Sequence, residues 1–177
     1  MNADYTIRPA QQSDLDCLVA LQLALQDHLE ASNPNLWRMS DQTRTQLKGQ
    51  LAARLAAPDS CVLVAEHIED GVVGVIYGRV VTNKGYAPSR TGMVDQAFVQ
   101  SQHRRRSIGA CLVAELCRVF AGQGIADLSL RYVTGNEEAT SFWAALGFTP
   151  RIVTVGASRR AVEACLDRGC DSDFWIT

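Results

Sequence analysis

The chain places an apolar strand directly before an arginine-rich turn: Val94-Asp95-Gln96-Ala97-Phe98-Val99, then Arg104-Arg105-Arg106-Ser107-Ile108-Gly109-Ala110. Apolar residues recur every fourth position from Ile108 to Phe120, which predicts a helix over about 107–120. The free N–H groups and positive dipole end of a helix attract phosphate. A basic surface loop is the alternative interpretation. The chain's overall acidity and the apolar helix that follows favour a phosphate-binding turn.

Hydrophobic periodicity predicts the other elements outward from this segment. Predicted strands cover residues 5–8, 61–65, 72–81, 92–99, 128–133 and 148–155, with a last strand at 174–176. Predicted helices cover residues 13–31, 40–57, 136–146 and 158–168; Ser13-x-x-Asp16 has the form of a capping box. The order β-α-α-β-β-β-α-β-α-β, with a C-terminal helix and strand, predicts one mixed α/β domain over 1–177, of which 158–177 is an extension.

Composition excludes several classes of protein. The 177 residues include 17 Lys and Arg against 19 Asp and Glu, and 47% are hydrophobic. Such a chain can bury a core, and its net charge of -2 argues against a nucleic-acid binder. No apolar run approaches the roughly 18–20 residues of a membrane span, and no signal peptide is recognisable. We therefore expect a cytoplasmic protein with no membrane or nucleic-acid partner.

Cysteine and histidine spacing predicts no metal site. None of the six cysteines forms a C-x-x-C pair. Four of them lie in apolar periodic segments and are predicted to be small core residues: Cys17, Cys61, Cys111 and Cys117. Cys165 and Cys170 are close enough in sequence to pair in an oxidising compartment, which nothing else indicates. The three histidines, His28, His67 and His103, are too scattered in sequence to suggest a metal cluster.

The segment 94–148 resembles the GCN5-related N-acetyltransferase (GNAT) superfamily. The strand and arginine turn are followed by Asn136-x-x-Ala139-x-x-Phe142-Trp143-x-x-x-Gly147-Phe148, and the resemblance extends over about residues 4–155. It implies an enzyme that transfers an acetyl group from acetyl-CoA to a primary amine by direct attack. The acceptor would be a small molecule or a peptide.

The resemblance also implies a cosubstrate site. In this family strands four and five diverge, and the pantetheine arm fills the gap like an added strand. The backbone of Ala97, Phe98 and Val99 would pair with the arm, and an N–H near Val99 would polarise the thioester. Asn136 would contact the arm from the other side. The pyrophosphate would lie at the turn, made of Arg104, Arg105, Arg106, Ser107, Ile108, Gly109 and Ala110.

Three positions depart from the family pattern. Arg105 and Ser107 stand where the turn usually has glycine, so their Cβ atoms would loosen the cradle, although arginine contacts to phosphate could offset this. Trp143 replaces a tyrosine that usually protonates the departing thiolate. An indole N–H donates a hydrogen bond but is no general acid near neutral pH. The remaining sources of a proton or hydrogen bond are water, Tyr132 and Ser141, and the alternative for Trp143 is core packing beside Phe142.

Two carboxylates are candidates for the general base that takes the amine proton: Asp95 on the fourth strand and Glu66 at the end of the second. The alternative for either is a solvent-facing strand carboxylate. A covalent cysteine intermediate is disfavoured, because Cys111 and Cys117 lack a paired histidine.

A second functional hypothesis is a non-catalytic acyl-CoA-binding or regulatory module on the same fold, and a third is a protein-interaction domain without affinity for CoA. The acceptor site would be shaped by the first two helices and the connections 33–37 and 83–90. Leu36 and Trp37 would line that site or fill the core. The tail would add a strand to the sheet or exchange it in a homodimer.

Overall fold

Five strands form one sheet in chain order: β1 (Tyr5–Pro9), β2 (Ser60–His67), β3 (Gly71–Thr82), β4 (Arg90–Val99) and β5 (Leu128–Leu130). β1, β2, β3 and β4 pair antiparallel with one another, whereas β4 and β5 are parallel. This computed structural model describes residues 4–32 and 38–167, and the chain divides into two compact units, Met1–Gly147 and Phe148–Thr177. The sheet lies in the first unit, and the predicted mixed α/β class is confirmed.

Helices formed by apolar stripes accompany the strands: α1 (Leu15–Ser32), α2 (Asp41–Ala56), α3 (Ile108–Gly122) and α4 (Glu137–Ala145) in the first unit, and α5 (Arg159–Asp167) in the second. Each lies within a few residues of its predicted range. Ser40 caps α2 by accepting a hydrogen bond from the N–H of Thr43 at 3.2 Å. No helix in the described ranges is long and apolar enough to span a bilayer.

The sheet is covered on both faces. Leucines of α1 and α2 pack on the β2 and β3 side chains of one face, including Val62, Val64, Val75 and Tyr77. α3 covers the other face, where Gly78 makes room for it. A Cβ at Gly78 would lie 2.7 Å from Leu116 and 2.9 Å from Phe120, so glycine permits the close approach of helix and sheet.

Three predictions of local structure are wrong. Residues 148–155 form no strand, and Ile152 and Val153 are 89% and 77% exposed. Apolar and β-branched residues favour a strand but do not supply the hydrogen-bonding neighbour that a strand needs. The first helix is entered through Asp14 rather than Ser13 and Asp16, because the Asp14 carboxylate accepts the Gln11 N–H at 2.7 Å. β5 also ends at Leu130 rather than at residue 133.

None of the four cysteines predicted to be small core residues is fully buried. Cys17 is exposed on α1, whereas Cys61, Cys111 and Cys117 are half-buried. Cysteine is short enough to border an apolar stripe without entering the core, so its place in a periodic segment does not decide its burial. Predictions for residues 33–37, Cys170 and the strand 174–176 lie outside the described residues.

Candidate active site

β4 and β5 pair over only three residues and then separate. Their last pair is Val94 with Leu130, whereas β4 remains paired with β3 as far as Val99, which faces Gly74. Within 4–32 and 38–167, residues 95–99 of β4 therefore have a strand neighbour on one side only. Ala97, Phe98 and Val99 lie on this one-sided edge, and it leads directly into the arginine turn.

Asp95 is the extra residue of a β-bulge at the point of separation. Tyr77 of β3 faces Gln96 and the next residue, Gly78, faces Val94, so Asp95 has no partner across the ladder. The Arg79 Nε–H donates to both oxygens of Asp95, at 3.1 and 3.2 Å. Arg54 of α2 donates to the same carboxylate. The bulge thus directs Asp95 to the sheet face covered by α1 and α2.

Tyr77 packs against the ion cluster formed by Arg54, Arg79 and Asp95. The Arg54 guanidinium lies 4.8 Å from the centre of the Tyr77 ring, within range of a cation–π interaction. Burial raises the pKa of Tyr77 to about 12, and the nearby Arg54 charge opposes that shift. The Tyr77 hydroxyl has no hydrogen-bond partner among the described residues.

The arginine turn adopts the backbone conformation that favours glycine, although two of its residues carry side chains. Arg105 has φ 60° and Ser107 has φ 62°. Both are the positions where the sequence departs from the glycine pattern. The left-handed region costs an L-residue roughly 1–2 kcal/mol, so the turn keeps this shape against a local penalty.

The beginning of α3 offers free backbone donors. The first hydrogen bond of the helix runs from the Cys111 N–H to the Ser107 carbonyl at 3.0 Å, and the Ser107 side chain makes no capping bond. The N–H groups of Ile108, Gly109 and Ala110 consequently precede the helical ladder. Such a group of donors at the positive end of a helix dipole suits an anion.

The three arginines of the turn have different environments. Arg104 donates to the Val99 carbonyl at 3.0 Å and to Glu138 of α4 at 2.9 Å. Arg106 donates to the Tyr5 hydroxyl at 3.0 Å. Arg105 is exposed, and no side-chain partner is present for it in residues 4–32 and 38–167. Of the three guanidiniums, that of Arg105 is therefore the most available to a ligand.

Behind the turn lies a polar cluster that the sequence analysis missed. The hydroxyl of buried Tyr5 is 3.0 Å from His103 Nδ1, while His103 Nε2 and His67 Nδ1 lie 3.5 and 2.7 Å from Asp70 Oδ2. The expected scatter of the histidines is thus wrong for His67 and His103, which the β2–β3 hairpin and the turn bring together. The ligand atoms of the two histidines and Asp70 lie within 4.8 Å of one another, a set that could contact one metal ion. The same polar atoms also have partners within the protein, namely the Tyr5 hydroxyl for His103 and Asp70 for both histidines.

Glu66 lies two strands away from β4 and is held in a separate ion cluster. Arg8 donates to Glu66 at 2.7 Å and to Asp14 at 2.7 Å. These hydrogen bonds lower the pKa of both carboxyls, although burial partly opposes the shift at each. The same bonds raise the pKa of Arg8 above its ordinary value.

The remaining predicted residues lie on α4 or just before it, and α4 packs against the start of α3 through Phe142. The Asn136 side-chain oxygen caps α4 by accepting the Ala139 N–H at 3.0 Å, which leaves its NH₂ group for other contacts. Trp143 is 7% exposed and stacks edge-on with Phe142 at 4.9 Å. A Cβ on Gly109 would lie 3.2 Å from the Phe142 ring, so glycine lets α3 and α4 pack closely. Tyr132 is 38% exposed, and Ser141 is exposed.

Sequence reasoning missed Arg54, Arg79, Tyr5 and Asp70 as parts of the site. Arg54 lies 41 positions from Asp95, and no local motif connects them. Arg79 could have been found from its spacing, because it lies two positions after Tyr77 and therefore on the same face of the strand.

Comparison with known proteins gives one family match. A family model described as the acetyltransferase (GNAT) family matches residues 23–148. Among curated proteins, no sequence matches significantly.

Several solved structures share the fold. A tetramutant of the BH1408 protein from Bacillus halodurans is 17% identical, covers 86% of this chain and 99% of its own, and has a TM-score of 0.77. A GCN5-related N-acetyltransferase from Ralstonia eutropha JMP134 is 20% identical, with coverages of 87% and 98% and a TM-score of 0.70. An aminoglycoside 6'-N-acetyltransferase, AAC(6')-Ih, from Acinetobacter baumannii is 16% identical, with coverages of 87% and 98% and a TM-score of 0.68. At these identities the likeness shows the fold alone.

Proposed function

Because the chain belongs to the acetyltransferase (GNAT) family, we propose that it transfers the acetyl group of acetyl-CoA to a primary amine. The observation that carries the proposal is the separation of β4 from β5 immediately before the arginine turn. One-sided backbone on β4 and a group of free N–H donors on α3 are then adjacent. A ligand with an amide-containing arm and a pyrophosphate matches both.

The residues of this chain suit acetyl-CoA in three respects. The pantetheine amides would pair with the edge formed by Ala97, Phe98 and Val99, as an added strand does. The pyrophosphate would accept hydrogen bonds from the backbone of residues 107–110, and the free guanidinium of Arg105 would balance its charge. Asn136, whose oxygen caps α4, would donate from its NH₂ group.

The reaction is a direct transfer. The amine nitrogen attacks the thioester carbonyl carbon, the C–N bond forms, and the C–S bond breaks as the CoA thiolate departs. A backbone N–H on the β4 edge would stabilise the negative charge that develops on the carbonyl oxygen. The thiol's ordinary pKa of about 8.5 makes the thiolate a tolerable leaving group near pH 7, at a cost of about 2 kcal/mol. Trp143, Tyr132, Ser141 or water would supply the hydrogen bond that lowers this cost.

Of the two candidate bases, we propose Asp95. It lies at the first residue beyond the last β4–β5 pair, where an arm that follows β4 from the turn would end. Glu66 lies on β2, with β3 between it and β4, so it is farther from an arm that follows β4.

The proposal extends to the surroundings of the enzyme. We expect the chain to act as a single domain over 1–177 in the cytoplasm, on a small-molecule or peptide amine, without nucleic acid or a membrane partner. A homodimer formed through the C-terminal tail is part of the same hypothesis. The molecular mass in solution tests the dimer.

Release of free thiol from acetyl-CoA, followed over a panel of amines, tests the function. We expect turnover with at least one amine, and saturable CoA binding by calorimetry. Absence of both CoA binding and thiol release would overturn the proposal. Tight CoA binding without turnover on any amine would support the regulatory module instead. In that case, a large gain of activity in Trp143→Tyr would indicate that the site has lost the general acid that protonates the thiolate.

A further inference from the structure

We infer that the acceptor is an amine that also carries an anionic oxygen group, and that Arg79 and Arg54 bind this group. The inference rests on the proposed function and names the substrate class for the same site. It starts from the position of the ion cluster around Asp95, which lies where β4 and β5 separate and on the sheet face covered by α1 and α2. An acceptor must reach this point to attack an acetyl group carried along β4.

The charges of this cluster do not balance. Two guanidiniums, Arg54 and Arg79, share one carboxylate, Asp95, in the only ion pairs that either arginine makes within the described residues. The cluster therefore has a net charge of +1. Its side chains are partly buried, with Arg54 26% exposed and Asp95 20% exposed, so solvent screens the excess positive charge less than at an open surface.

Both arginines keep donors that no described residue accepts. Arg79 uses its Nε–H for Asp95, so its four terminal N–H groups are available. Arg79 is also 41% exposed, which leaves it accessible. Arg54 donates to Asp95 through one terminal nitrogen and is held in place by the Tyr77 ring. A planar guanidinium with two free terminal nitrogens is the usual partner of a carboxylate or phosphate, which it binds through two parallel hydrogen bonds.

The same charge would disfavour a polycationic acceptor. An aminoglycoside would bring several ammonium groups to a site that already has an excess of positive charge. An amine with its own carboxylate or phosphate would instead neutralise the cluster. The positive field would also favour the neutral, nucleophilic form of the amine over the ammonium form.

Matched pairs of acceptors test the inference. Thiol release from acetyl-CoA is compared for glycine against glycinamide, for phosphoethanolamine against ethanolamine, and for sisomicin as a polycation. We expect the anionic member of at least one pair to have the higher kcat/KM, with sisomicin the poorest acceptor. The two pairs separate carboxylate from phosphate. Preference for the uncharged members or for sisomicin would overturn the inference while leaving the acetyltransferase activity itself established.

Substitution of Arg79 identifies the binding group. Arg79→Gln should raise KM for the anionic acceptor by about ten- to hundredfold, the range for a charged hydrogen bond, and leave KM for its uncharged partner nearly unchanged. Arg118→Gln is the control, because Arg118 also pairs with a carboxylate, Glu115, but lies on α3, which covers the opposite face. Equal effects of Arg79→Gln on both members of a pair would contradict the assignment.

A binding measurement keeps the inference testable in the absence of turnover. Calorimetry on the CoA-saturated protein compares N-acetylglycine with N-acetylglycinamide. Tighter binding of the carboxylate, lost in Arg79→Gln and kept in Arg118→Gln, would support the anion site. Equal binding of the two would overturn it. Absence of CoA binding would be the distinct failure of the proposed function.

Discussion

The Arg106 guanidinium donates a hydrogen bond to the Tyr5 hydroxyl at 3.0 Å, which joins the arginine turn to the first strand across 101 positions of sequence. The same hydroxyl is 3.0 Å from His103 Nδ1, so Tyr5 contacts the residue before the arginine turn as well as Arg106 within it. His103 and Tyr5 are 4% and 8% exposed, and their hydrogen bond is therefore well shielded from water.

Tyr5→Phe should lower the free energy of unfolding by about 1–3 kcal/mol, because it leaves a buried imidazole nitrogen unpaired. CoA affinity should fall as well, since Arg106 loses its anchor. Denaturant unfolding and calorimetry measure the two effects. Tyr86→Phe is the control, as Tyr86 is 78% exposed and should be neutral. Equal stability of the two variants would show that the Tyr5 hydroxyl does not support the turn.

Ser107→Gly should raise the free energy of unfolding by up to about 1 kcal/mol. Glycine adopts the left-handed conformation without the penalty that Ser107 bears, although its greater freedom in the unfolded chain offsets part of the gain. Thermal or urea unfolding measures the difference. Ser101→Gly is the control, because Ser101 is not among the positive-φ residues and should gain nothing. If Ser107→Gly were less stable than the original chain, the hypothesis that Ser107 is strained would be wrong.

Gly78→Ala should destabilise the fold by about 1–3 kcal/mol, since the added methyl group would overpack against Leu116 and Phe120, both 1% exposed. Gly49→Ala is the matched control. Gly49 lies inside α2 with no heavy atom within 4 Å of an added Cβ, so alanine should stabilise the helix by about 1 kcal/mol. We expect the unfolding midpoint to fall in Gly78→Ala and to rise in Gly49→Ala. An unchanged midpoint in Gly78→Ala would show that α3 can move away from the sheet.

Stability should fall in acid through Asp14 and Glu66. Arg8 lowers the pKa of both carboxyls in the folded chain, so this contribution is fully present above their ordinary values of 3.8 and 4.5 and is lost as pH falls through the lowered folded values.

Arg8→Gln should therefore flatten the decline of the unfolding midpoint below about pH 4.5. Urea unfolding between neutral pH and pH 3 checks this. Lys48→Gln should leave the profile unchanged, because the Lys48–Asp16 pair is 58% and 85% exposed. An unaltered profile for Arg8→Gln would exclude the cluster as a source of the acid sensitivity.

The sequence predicted those features that depend on short patterns. The strand, arginine turn and helix around Ile108 appear with nearly their predicted limits, and the family resemblance is confirmed. The expectation that Arg105 and Ser107 would loosen the turn did not anticipate that both adopt the glycine-like conformation. A strained turn keeps its shape only if other residues hold it. Here Arg104 and Arg106 are held by Glu138 and Tyr5, which are far away in sequence.

The ion cluster around Asp95 could not be predicted for a related reason. Its partners come from α2 and β3, and its orientation depends on a β-bulge that shifts the register between Tyr77 and Gly78. One inserted residue changes which sheet face a side chain occupies, and no pattern in 94–99 marks it. The absent strand at 148–155 has the converse cause, because its β-branched residues favour a strand but no strand of residues 4–32 and 38–167 pairs with it.

The bridge that Arg104 makes from the Val99 carbonyl to Glu138 has a mechanical consequence. Beyond Val94 and Leu130 no strand pairing holds β4 and β5 together, so the width of the gap that opens beside β4 depends in part on side chains such as Arg104, which connects the end of β4 to α4. Arg104 spans this distance with three methylenes and a planar guanidinium. Shortening the side chain would break one of the two bonds, and the fit of any chain inserted beside β4 would change even if Arg104 never contacts that chain.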